Sequence, residues 1–117
     1  MKTYPQLMAE AKGRIREVTP RQVLEMQSRG EKVVLVDIRE IQEVNAAKIP
    51  GSVHVPRSHL ESRVESQVPR DANVVLYCAS GNRSVFAADT LQTMGYATVA
   101  SMSGGIRGWA DAGGEVE

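Results

Sequence analysis

Two stretches of the chain are apolar without interruption, Val33-Val34-Leu35-Val36 and Val74-Val75-Leu76-Tyr77. Continuous runs of β-branched and aliphatic residues, rather than alternating ones, suit strands covered on both faces, as in a parallel sheet. The first run leads into Asp37 and the second into Cys78. Shorter strands are predicted at Ile15 to Val18, Ser52 to Val55 and Ala97 to Met102. Between the strands, apolar residues recur at helical spacing: Leu7, Met8 and Ala11 in Tyr4 to Lys12, Val23 and Leu24 after Thr19, and Val85, Ala88 and Leu91 in Ser84 to Met94. Pro5 suits a first helical turn, and Gly13 is expected to end that helix. Thr19 and Gln22 form a capping box around Pro20, and Gly30 and Gly95 supply left-handed stops. Shorter helices are predicted at Glu40 to Ala47, Arg57 to Gln67 and Ile106 to Ala112, with a turn at Pro69 to Asn73.

Strands separated by helices cannot be joined by hairpins and must cross over. The predicted fold class is therefore α/β, a small parallel sheet with helices on both faces. A length of 117 residues fits one domain. About two-thirds of the surface of a chain this size is buried on folding, enough for a core without metal or disulfide staples.

Charge and cysteine content narrow the function. Fourteen basic residues balance fourteen acidic ones, which argues against binding nucleic acid or an anionic membrane. A net charge of zero also permits a homodimer. No apolar run is long enough to span a membrane. The first residues, MKTYPQLMAEAKGR, lack the apolar segment of a signal peptide, so a cytoplasmic location is expected. The single cysteine excludes an internal disulfide and a multi-cysteine zinc cluster. His54 and His59 stand off the spacing of a helical metal pair, and no metal is predicted.

In parallel sheets, ligands gather beyond the carboxyl ends of the strands. Both strong strands deliver polar residues there: Asp37-Ile38-Arg39, and Cys78-Ala79-Ser80-Gly81-Asn82-Arg83-Ser84. Small residues and a glycine let the second segment curl so that its N–H groups face inward, and the following helix adds its unpaired first-turn N–H groups. A cysteine at the mouth of such a ring ionises more readily than a free thiol. The alternative is that Cys78 is an inert, buried end to its strand. Asp37 is a candidate partner for Arg83 or Arg39, or a cap on the next helix. Trp109 is expected to pack in the core.

The same residues resemble the rhodanese-like sulfurtransferases. The cysteine loop is similar to their Cys-x-x-Gly-x-Arg-Ser pattern. Asp37-Ile38-Arg39 with Glu43, Ile49-Pro50-Gly51-Ser52 and Gly104-Gly105-Ile106-Arg107-Gly108-Trp109 resemble three further segments in the same order. The resemblance covers residues 15–117 and leaves 1–14 as an N-terminal helical extension. It departs from the pattern at Ala47-Lys48, where many members have Gly-His. It departs again at Ala79, where thiosulfate-specific members often carry a basic residue.

The resemblance implies a sulfurtransferase of the thiosulfate:cyanide type that works through a Cys78 persulfide and needs no cofactor. Ala79 to Ser84 would be the substrate-binding loop, with Asp37 and Arg39 in support. The implied partners are a small-molecule sulfur donor and acceptor, or a protein sulfur donor or thiol reductant. A non-catalytic sulfur-carrier or regulatory module fits the same residues. Related phosphatases and arsenate reductases place five residues between cysteine and arginine. Four stand between Cys78 and Arg83, a smaller ring that favours a single sulfur over a tetrahedral phosphate.

Overall fold

Val34–Asp37 (β2) and Val74–Tyr77 (β4) lie side by side near the middle of a five-stranded sheet in the computed structural model, which covers residues 1–117. With Arg16–Val18 (β1), Val53–His54 (β3) and Val99–Met102 (β5), the strand order is β1-β5-β4-β2-β3 and every pairing is parallel. All four residues of β4 are buried, as a doubly covered central strand requires.

Alternation along each strand sends side chains to two cores. Val36, Leu76 and Val74 pack with Leu60, Val64, Ala87, Ala88 and Leu91. These helical residues belong to α4 (Leu60–Gln67) and α5 (Asn82–Thr93). Leu35, Val75 and Tyr77 point the other way, toward Val23, Met26 and Trp109 of α2 (Pro20–Ser28) and α6 (Gly105–Asp111). Trp109 is thus a core residue, with its indole N–H bonded to the Glu115 carbonyl at 2.8 Å. The short α3 (Ile41–Ala46) follows β2.

The predicted capping box at Thr19 is present, both bonds included, and Thr3 with Gln6 forms a second one. The first helix, α1 (Tyr4–Arg14), runs through Gly13 instead of ending there. Its last turn stays helical because Arg14 is tied to α5: the guanidinium grips Asp89 at 3.0 and 2.8 Å, and the Arg14 carbonyl accepts from Gln92. Tyr4 meets Phe86 with ring centroids 6.0 Å apart, so α1 lies over α5. Other boundaries shift by one to three residues: Ile15 packs beside the core ahead of β1, α5 begins at Asn82 rather than Ser84, β5 begins at Val99 rather than Ala97, and Arg57–His59 is a 3₁₀ turn leading into α4. No helix is long and apolar enough to cross a membrane.

Candidate active site: the cysteine loop

Cys78 ends β4 and begins the turn into α5. The Gly81 N–H donates to its sulfur at 3.1 Å, and the Ser84 hydroxyl lies 3.6 Å from it. Burial pushes the Cys78 thiol up, but the Ser84 hydroxyl and the N–H groups of Ser84, Gly81 and Ser80 outweigh it and hold the thiol below its ordinary value. Cys78 is 1% exposed and belongs to the apolar core that holds Val36, Leu76 and Ala88, while its sulfur also meets the Gly81 N–H and the Ser84 hydroxyl. Asn82 and Ser80 are exposed on the rim, and Ala79 is half-buried.

The inward turn of the loop has a tertiary cause. The first turn of α6 takes the loop carbonyls: Ile106 N–H donates to Cys78 O at 2.9 Å and Arg107 N–H to Ala79 O at 3.3 Å. With those oxygens held by α6, the following peptide N–H groups face the sulfur. The approach is close enough that a Cβ on Gly105 would overlap Cys78 O and the Ala79 carbonyl. Gly81 adopts φ 102°, and a Cβ there would stand 2.9 Å from Gly104 N. The Gly104-Gly105 pair is thus the surface on which the cysteine loop is moulded.

Arg83 does not reach Asp37. Its guanidinium is engaged by Glu43 through two bonds of 2.9 Å. The Arg83 guanidinium holds the Glu43 carboxyl down at about 2, aided by the Glu40 N–H. Arg83 is thus held by a residue that the sequence reading did not pair with it, Glu43. Its presence in a motif segment was the available signal, but nothing in the chain order names its partner. Asp37 instead holds Arg39: the guanidinium reaches the carboxylate at 2.8 to 3.2 Å, and the Arg39 N–H also donates to it. The cap position of α3 falls to Glu40 rather than Asp37. Arg39 is buried over the Tyr77 ring and donates to Ala47 O at 2.6 Å.

Beside the loop, α3, α6 and the C-terminal tail border an open pocket of about 400 Å³. Ala46, Ala79, Ile106 and Val116 give it an apolar lining. Of its charged residues, Arg39 and Glu43 are paired, and Arg107 alone makes no ion pair. The tail wall is held by a two-way backbone exchange between Glu117 and Lys48. The histidines lie elsewhere: His54 Nε2 bonds Arg39 O and His59 Nδ1 bonds Ser58. No three His, Cys, Asp or Glu side chains come together as a metal site.

Residues 19–112 match the family model of the rhodanese-like domain. This chain belongs to the rhodanese-like family. Its fold is the rhodanese-like α/β fold, and the family is one of sulfurtransferases and sulfur carriers. A sulfurtransferase of Allochromatium vinosum is 41% identical over 80 residues, which are 68% of this chain and 74% of that protein. A Bacillus subtilis protein named "Putative sulfur carrier protein" is 35% identical over 79 residues, 68% of this chain but 42% of its own length. A solved structure from Rhodopseudomonas palustris, of a protein of unknown function described as a "Possible Tyrosine Phosphatase", superposes with a TM-score of 0.89 at 36% identity. That match covers 100% of this chain and 96% of its own, so it includes α1, which precedes the rhodanese-like match.

Proposed function

We propose that this rhodanese-like domain is a sulfurtransferase in which Cys78 carries the transferred sulfur. The Cys78 thiolate attacks the outer sulfur of a donor such as thiosulfate. A bond forms between the two sulfurs, the sulfur–sulfur bond of the donor breaks, and sulfite leaves with the electron pair. The product is a Cys78 persulfide anion, cradled by the loop N–H groups. Cyanide or a thiolate then attacks the terminal sulfur and returns Cys78 as thiolate. Sulfur rather than a proton is transferred, so a separate general base is not needed. The observation that carries this reading is the Gly81 N–H at 3.1 Å from a sulfur that burial alone would keep protonated.

The roles follow from position. Ala79 to Ser84 form the cradle, and Arg83, neutralised by Glu43, braces the loop. Asp37 and Arg39 brace the neighbouring strand end. The apolar pocket beside Ala79 is where an organic thiol acceptor would approach. A lone cysteine that must stay reduced suits a cytoplasmic setting.

The test is to treat the protein with thiosulfate, then add cyanide. Mass spectrometry is expected to show Cys78 heavier by about 32 Da, one sulfur atom, and thiocyanate should follow. Cys78→Ser should abolish both. Persulfide that forms only beside a protein sulfur donor would favour the carrier reading, for which the Bacillus relative is the support. The similarity to the Rhodopseudomonas protein, a possible tyrosine phosphatase, raises a phosphatase reading. The short loop and the commitment of Arg83 to Glu43 weigh against it. Turnover of para-nitrophenyl phosphate dependent on Cys78, without persulfide formation, would reverse that judgement.

A further inference from the structure

Ser101 lies in β5 at 0% exposure, paired in register with Leu76 of β4. A hydroxyl in an apolar sheet destabilises the fold unless it is bonded. Its one hydrogen-bond partner is the Ser84 hydroxyl, 2.7 Å away. Ser84 has two further neighbours, the Gly81 carbonyl at 3.3 Å and the Cys78 sulfur at 3.6 Å.

Proton accounting decides the direction of this chain. Each hydroxyl has one proton to give. Were Ser84 to donate to Ser101, the Ser101 proton would be buried without an acceptor, and the sulfur would lose its hydroxyl donor. With Ser101 donating to Ser84, every proton has a destination. Ser84 then gives its own proton to the Gly81 carbonyl or to the sulfur. An ionised sulfur is the stronger acceptor and draws it.

We propose that Ser101 is a positioning residue of the sulfur site: by donating to Ser84 it fixes and polarises that hydroxyl, so that the Ser84 proton is held toward, and given more strongly to, the Cys78 thiolate and, after transfer, the persulfide. The persulfide half of this statement rests on the sulfurtransferase reading; the thiolate half does not. The charged and titratable groups around the sulfur are untouched by a change at Ser101. They are Arg83 with Glu43 from α5 and α3, Tyr77 on β4, and the Asp37–Arg39 pair after β2 with His54 on its carbonyl. Arg107 lies on α6. Strand β5, Val-Ala-Ser-Met, brings none.

The experiment is the rate of Cys78 alkylation by iodoacetamide as a function of pH, in folded protein verified by circular dichroism. Ser101→Ala is expected to move the profile to higher pH and to slow alkylation at neutral pH about three- to tenfold. Ser84→Ala should slow it at least as much. The double variant should match Ser84→Ala alone, because Ser101 acts only through Ser84. Ser101→Thr and Ser101→Val, equal in shape and differing in the hydroxyl, repeat the comparison should alanine disturb the strand, with threonine expected to stay near wild type. A wild-type profile for Ser101→Ala, equal profiles for threonine and valine, or additive effects of Ser84 and Ser101 would overturn the proposal. The expected order of alkylation in a protein that forms no persulfide would instead sink the sulfur-transfer reading alone.

Discussion

Glu43 and Arg83 meet carboxylate to guanidinium through two bonds of 2.9 Å, linking α3 to the first turn of α5. The pairing takes the loop arginine out of the mouth of the site as a free cation. It leaves the sulfur to be stabilised by the loop N–H groups and the Ser84 hydroxyl.

Acid should expose this pair. The Glu43 carboxyl is lowered from its ordinary 4.5 to about 2 in the folded protein. A depressed acid contributes its stability above its unfolded value and loses it as pH falls through the folded one. Between pH 4.5 and 2, wild type should therefore lose more stability than Glu43→Gln. The side chains are 33% and 40% exposed, so solvent screening limits the difference to about 0.2–1 kcal/mol. Urea unfolding at a series of pH values measures it; parallel profiles for the two proteins would refute the assignment.

The Asp37–Arg39 pair behaves differently, since its side chains are 0% and 5% exposed. Asp37→Ala strands a buried guanidinium and should cost about 3–5 kcal/mol of folding stability. Removing both charges, as in Asp37→Ala with Arg39→Met, should recover a large part of that loss. Denaturant melts of the single and double variants check it, and a double variant no more stable than the single one contradicts it.

Gly105→Ala places a methyl group against the backbone of Cys78 and Ala79. Overpacking of this kind costs about 1–3 kcal/mol. The larger expected effect is local: the loop must back away from α6, its N–H groups lose their aim, and Cys78 alkylation at neutral pH slows. Alkylation unchanged in a folded variant would show that α6 does not shape the loop.

Ala79 lines the open pocket beside the loop, where the unpaired Arg107 is also found. A lysine at Ala79 adds a cation where a doubly charged donor approaches. Ala79→Lys should lower the KM for thiosulfate several-fold at low ionic strength, and added salt should erase most of the gain. A KM that does not move, or moves equally at high salt, counts against electrostatic control of donor choice at this position.

Short-range pattern carried most of the fold. The unbroken Val33 to Val36 and Val74 to Tyr77 runs marked the buried strands, and the Thr19 capping box marked a helix start, because periodicity and caps act over a few residues. Gly13 misled for the opposite reason. The fate of that turn depends on Asp89 and Gln92, far along the chain, which propensity does not register.

The amino-acid order alone determined the parallel α/β architecture, the placing of Cys78 where β4 hands over to α5, and a cysteine-to-arginine spacing suited to a small ring. Only the tertiary structure decided which carboxylate meets which arginine, that α6 turns the loop carbonyls away from the sulfur, and that Ser101 stands behind Ser84. The Glu43–Arg83, Ser84–Ser101 and α6–loop contacts join residues 17 to 40 positions apart. Hydrogen bonds select partners by distance and angle once the backbone has crossed over, and no local propensity encodes that choice.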